Sequence, residues 1–275
     1  MDESHSPAHP TQYLRGMKQG FDWITDGLKW VRQQPSLWFG MTAVYFAFGF
    51  LLKLIPFMGD LLLVLITPML LAGVVWGRVQ ERPVDPTPAP SDTVQRLYRT
   101  WILRPTQELV YIFTQEEKIF GAVLLGIVTL GLEMTVKISG YLLIGGSMVS
   151  GLAADQLGAP QLTTLLGMFV IAMLFLLLAM GLIYSVPLTV LGNRPPFAAF
   201  AESFFICRRY PVPLLALTVP FFLVYLAITA AFANDRWLGY LLVISAGMVT
   251  LPVFVASVYR SYLTFFPLDQ SAAGR

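Results

Sequence analysis

Charge is scarce in this sequence. Only 12% of its 275 residues are Asp, Glu, Lys or Arg, and 56% are hydrophobic, whereas ordinary globular chains carry about 25% charge. That shortage excludes a typical water-soluble enzyme. With a formal net charge of only +2, nothing invites a polyanion, and nucleic acid is excluded as a partner. Cysteine is nearly missing as well: Cys207 stands alone, which rules out an internal disulfide framework and a cysteine metal cluster. No secretory leader is expected at the start of this sequence. The first ten residues are polar, with Asp2, Glu3, His5 and His9 where a basic start and an apolar core are needed. The first long apolar run begins near Leu37 and is expected to act as the insertion signal. His5 and His9 are spaced i,i+4 but have no third ligand nearby. Also missing are a phosphate-binding loop, a metal-ligating helix pair and a nucleophile beside its base. No catalytic, metal-binding or cofactor-binding residues are therefore expected, and no cofactor.

Long apolar runs are what the sequence has. A bilayer core of about 30 Å takes about 20 apolar residues in a helix, and six stretches qualify: 38–55, 61–77, 119–146, 164–191, 212–232 and 237–259. Backbone groups in lipid must pair within their own segment, so each run is read as a helix. Short connections at 56–60 and 233–236 and a longer turn at 154–161 make three hairpins. The fold expected is all-α: a polytopic membrane protein of six transmembrane helices in three hairpins, with cytoplasmic interfacial amphipathic helices. The segments run as a disordered tail (1–19), an interfacial helix plus first hairpin (20–77), a proline-rich linker with amphipathic helices (78–118), a second hairpin (119–193), an interfacial helix plus third hairpin (194–266) and a tail (267–275). Fifteen of the 18 Lys and Arg residues fall on one side of these spans, and only Arg236 lies in a loop on the other. The positive-inside rule puts both termini in the cytoplasm.

Amphipathic stretches flank the spans. On a helical wheel Phe21, Trp23, Ile24, Gly27, Leu28, Trp30 and Val31 occupy one half, with Asp22, Thr25, Asp26, Lys29 and Arg32 opposite. A helix of this kind lies in the membrane interface. An offset of 176 brings Phe197, Ala199, Phe200, Ser203, Phe204, Ile206 and Cys207 onto the same face, with Arg208 matching Arg32 and Pro211 matching Pro35. An offset of 184 pairs Pro68 and Ala72 with Pro252 and Ala256. A duplicated, parallel hairpin is the reading; the alternative is that any interfacial helix feeding a hairpin looks alike. Pro83, Pro86, Pro88 and Pro90 make an extended spacer. After it Val94, Leu97, Tyr98 and Trp101 follow helical spacing, with Arg96 and Arg99 on the polar side. Candidate lipid-interface residues are Trp23, Lys29, Trp30, Arg32, Arg96, Arg99, Trp101, Arg208 and Arg209. Candidate helix-kinking residues are Pro68, Pro187 and Pro252.

Inside the third span Glu133 and Lys137 stand at i,i+4 with the glutamate first, the favourable order on one helix face. Charge at this depth by default suggests a functional site. Two readings stay open: a self-compensating pair near the outer interface, or one wall of a polar cavity or ion path. Lys53, near the end of the first span, can snorkel.

The segment from Ala199 to Phe204 with Cys207, Arg208 and Arg209, then a hairpin, then Ser257 to Tyr262 with Phe266, resembles six-span inner-membrane proteins of proteobacteria that have no assigned function, loosely similar to the YciC group. Gly20 to Ile24 through Arg32 and Pro35 fits the same pattern, as does Pro68 to Gly73; Leu263-Thr264 stands where a more polar pair is expected. The resemblance covers both ends of the chain and implies a bacterial inner membrane and six spans. It brings no catalytic residues. The function expected is that of a non-catalytic integral membrane protein, a lipid- or partner-binding subunit or scaffold. Its partners would be membrane lipids and a membrane-protein partner or a second copy. The alternative is a small transporter or permeation-pathway protein using the polar groups around Glu133 and Lys137.

Overall fold

The computed structural model describes residues 10–56, 58–79, 93–153, 162–234 and 236–266, and every extended element among them is helical. In chain order these are α1 (Pro10–Gln33), α2 (Pro35–Lys53), α3 (Met58–Val79), α4 (Thr93–Tyr98), α5 (Arg104–Val110), α6 (Glu116–Ala153), α7 (Leu162–Leu182), α8 (Ser185–Val190), α9 (Pro196–Arg209), α10 (Pro211–Asn234) and α11 (Arg236–Phe265). A π turn, Arg99–Leu103, joins α4 to α5. Six stretches are long and apolar enough to cross a membrane: Pro35–Lys53, Met58–Gly77, Glu116–Leu142, Phe169–Val190, Pro211–Ala231 and Gly239–Phe265. The chain is an all-α, multi-pass membrane protein. The residues at 1–9, the linker at 80–92 and the turn at 154–161 lie outside the described residues. Helix α1 starts at Pro10, so residues 10–19, expected as part of a disordered tail, are helical.

Two compact units divide the chain. The first comprises Met1–Leu51, Gly73–Tyr111 and Cys207–Arg275; the second comprises Leu52–Ala72 and Ile112–Ile206.

In the first unit α1 lies along both α10 and α11, which also pack on each other. Small residues make the approach close. Gly20 meets the backbone of Pro213 and the side chain of Ala216, and Gly27 meets Ser257. Trp23 and Val31 fill the seam on either side, 5% and 2% exposed. This corrects one expectation: the apolar half of α1 is divided. Its Gly20–Trp23–Gly27–Val31 stripe is buried, while Phe21 on the other flank is exposed. A stripe so rich in glycine seats another helix at short range better than it seats acyl chains. In the same unit Gly40 of α2 meets Pro105 and the Trp101 carbonyl, and Gly73 and Gly77 of α3 receive Leu109 and Glu108 of α5.

In the second unit α6 packs on α7 and α8. Gly126 meets Leu65 of α3, Gly140 meets Ile171 of α7, and Gly121 meets Thr189 of α8. After α8 the chain turns at Asn193, whose φ of 51° is left-handed, a conformation that asparagine tolerates better than most residues. The Asn193 side chain accepts a hydrogen bond from Lys118 at the start of α6.

Burial follows the two offsets read from the sequence. At 176, Gly20 and Pro196, Trp23 and Ala199, Gly27 and Ser203, Val31 and Cys207, Trp38 and Leu214, and Met41 and Leu217 are all buried pairs. Thr42 and Thr218, also 176 apart, both donate back to the carbonyl four residues earlier, at 3.0 and 2.9 Å. At 184, Pro68 and Pro252, Met69 and Val253, Ala72 and Ala256, Gly73 and Ser257, and Gly77 and Ser261 are likewise buried pairs.

Candidate functional site

Three polar features stand out against the apolar helices. The first is the Glu133–Lys137 pair. The Lys137 ammonium lies 2.6 Å from a Glu133 carboxylate oxygen, and the side chains are 49% and 23% exposed. At 1.5 Å per residue the two lie about 26 and 32 Å along α6 from Glu116, so they sit at the far end of a bilayer-length span. Ile138 and Tyr141 are 58% and 82% exposed, while Thr135 donates to the Gly131 carbonyl at 2.8 Å.

The second is a break in the fourth apolar run, which the sequence reading took as continuous from 164 to 191. Helix α7 ends at Leu182 and α8 begins at Ser185. Tyr184 between them has φ −109° and ψ 0°. Pro187 explains part of this, because it has no N–H to offer the Ile183 carbonyl and its ring crowds that position. Ser203 of α9 explains the rest. In a regular helix the Tyr184 N–H would bond the Met180 carbonyl directly. Here the Ser203 hydroxyl stands between them, accepting from Tyr184 N–H at 3.1 Å and donating to the Met180 oxygen at 2.8 Å. Ser185 donates to the Gly181 carbonyl, and Gly181 leaves room for the Phe200 ring of α9. Ser185 and Ser203 are both fully buried. A side chain inserted into the helical ladder is a recognised cause of a sharp bend. By contrast, Pro68 and Pro252 lie buried inside helices that run through them, and α10 likewise runs through the half-buried Pro220.

The third is an aromatic and basic cluster in the first unit, where α1 meets the last turns of α11. Trp23 donates its indole N–H to Thr264 Oγ1 at 3.0 Å and meets Phe265 edge-on at 5.5 Å. Of the interface candidates, it is the one the structure turns inward. Trp30 stacks on Tyr259 at 5.2 Å and touches the edge of Trp38 at 5.3 Å. The Arg260 guanidinium lies 5.2 Å from the Trp30 centroid, and Arg209 lies 5.6 Å from Tyr210, which packs on Phe265. Lys29 pairs with Asp26 at 2.9 Å. Arg32, Arg96, Trp101, Arg208 and Arg209 are exposed, and Arg99 is half-buried. The contacts gather Trp23, Trp30 and Arg209 around the end of α11.

Sequence reasoning missed three residues. Ser203 was placed on an apolar face, and its signal was a lone hydroxyl within the Ala199–Phe200–Ser203–Cys207 stripe. Arg260 carried no signal until Trp30 was brought to it. Glu108, 6% exposed with its carboxylate against Gly77, lies in a stretch whose amphipathic pattern is weak; the small residues Gly73 and Gly77 at i,i+4 were the available clue. Compared with protein-family models, with curated proteins and with solved structures, the chain matches none.

Proposed function

We propose that this chain is a non-catalytic membrane subunit or scaffold of a bacterial inner membrane, with both termini in the cytoplasm, that acts on lipid or on a partner membrane protein. The observation that supports it most is where the polar groups of the apolar helices direct their bonds. Ser203 and Ser185 take up the backbone groups at the break. Thr42, Thr129, Ser257 and Ser261 donate to carbonyls of their own helices. Glu133 is met by Lys137. Polar groups satisfied in this way by the protein's own backbone and side chains are not turned toward a ligand, as those lining a substrate path must be. The outward-facing polarity belongs instead to arginines and tryptophans at helix ends, the chemistry of a lipid interface. We read the recurrent burial at offsets 176 and 184 as a duplicated hairpin, which suits a packing role.

The runner-up, a small transporter, draws on the broken fourth span, since discontinuous helices form binding sites in many transporters. Native mass spectrometry of the protein gently extracted from its own membrane separates the two readings. A stoichiometric second polypeptide, or a retained lipid, is the expected result. A bare protein whose measurable flux disappears in the Glu133→Gln, Lys137→Met double variant, with insertion intact, overturns the subunit reading.

A further inference from the structure

Among the described cations Arg260 and Arg209 lie over aromatic rings, and Arg260 lies over the one that is itself held in place by other rings. Lys29, Lys137 and Arg194 each have a carboxylate, at 2.9, 2.6 and 3.6 Å. Arg260 has none among the described residues, and its guanidinium lies instead over the Trp30 ring, 5.2 Å from the centroid. That ring is fixed from two sides. It stacks on Tyr259 with 23° between the planes and meets the edge of Trp38, and those two residues are 7% and 2% exposed. A guanidinium lying over an indole gains a cation–π attraction and gives up rotamer freedom before any ligand arrives. Its fork of N–H donors stays available to match a phosphate with two parallel hydrogen bonds. Arg260 itself is exposed. Depth supplies the second line of argument. Arg260 is in the last turns of the Gly239–Phe265 span, with the half-buried Trp30 beneath it, and a tryptophan paired with a basic residue at a span's end marks the headgroup level of a bilayer.

We propose that Arg260, held over Trp30, binds the phosphate of an anionic phospholipid headgroup. The proposal rests on the membrane-subunit reading and names the class of its lipid.

The test uses the full chain in detergent micelles, titrated with phosphatidylglycerol or phosphatidylcholine and read by native mass spectrometry. Wild type should retain phosphatidylglycerol in preference, and Arg260→Gln should lower that affinity by about tenfold, the scale of a lost charge-assisted contact. Arg260→Lys keeps the charge but not the fork and should recover little of the preference. Trp30→Leu should lose it with Arg260 still present, and Trp30→Phe should restore part of it. Thermal unfolding of each variant establishes that it is folded. An unchanged phosphatidylglycerol preference in folded Arg260→Gln, or in folded Trp30→Leu, overturns the site. Displacement of the lipid by an equal concentration of inorganic phosphate overturns the lipid assignment in favour of free phosphate. If a partner polypeptide stays bound while lipid preference is unchanged in Arg260→Gln, this site fails and the subunit reading stands. A wild-type protein that retains neither lipid nor partner overturns both.

Discussion

Single glycines show how little room separates these helices. A β-carbon on Gly27 would lie 2.8 Å from the Ser257 backbone nitrogen and 3.0 Å from its α-carbon. Neither atom can step aside without moving α11. Gly131, by contrast, has no atom within 4 Å of the same position. We therefore expect Gly27→Ala to destabilise the protein by about 1–3 kcal/mol, the cost of overpacking a tight contact. Gly131→Ala should be neutral or stabilising by up to about 1 kcal/mol, from helix propensity alone. Thermal unfolding of both variants in the same detergent checks this. Equal effects would mean that α1 is not seated on α11 as closely as the structure places it. The sequence holds 22 glycines and does not distinguish these two, because the difference lies in a partner more than 200 residues away.

At the scale of elements, legibility depended on whether the cause was local. Hydropathy is local, and it located all six apolar runs within a few residues of Pro35–Lys53, Met58–Gly77 and the rest. The break before α8 has one local cause, Pro187, which the sequence reading singled out alongside Pro68 and Pro252. Those two sit in unbroken helices, so a proline by itself does not tell where a helix breaks. What differs at Tyr184 is Ser203, 19 residues on, whose hydroxyl replaces the direct ladder bond. The same tertiary blindness hid the divided face of α1, since a wheel shows which residues are apolar and not whether lipid or α10 covers them. The joint itself is testable. Ser203→Ala removes the bridge and should cost about 1–3 kcal/mol. In a Pro187→Ala background the ladder can close directly from Tyr184 to Met180, so the same substitution should cost measurably less, with a coupling of at least about 0.5 kcal/mol. Strict additivity across the four proteins would sink the account of Ser203 as a ladder-bridging residue.

For the whole molecule, contact order departs from chain order in a regular way. Helix α1 leads into α2 yet lies on α10 and α11. Helix α5 leads into α6 yet its Glu108 and Leu109 meet α3, and α9 leads into α10 yet bonds across the α7–α8 break. Each flanking helix thus covers a hairpin other than the one it introduces, which ties distant parts of the chain together before any partner is considered. The positive-inside rule predicts that the loops carrying fifteen of the 18 basic residues lie in the cytoplasm. The lone cysteine makes that easy to test. Cys207 is buried, so replacing it with alanine gives a cysteine-free background at modest expected cost. Single cysteines are then placed at Gln107, which is exposed on α5, and at Trp237, which is 80% exposed at the start of α11. A membrane-impermeant maleimide added to intact spheroplasts should label the Trp237→Cys protein and spare the Gln107→Cys protein, which becomes reactive only after permeabilisation. The opposite pattern would invert the protein in the bilayer. It would also move Arg260 and Trp30 to the outer leaflet, where their phosphate would have to come from a different pool of lipid.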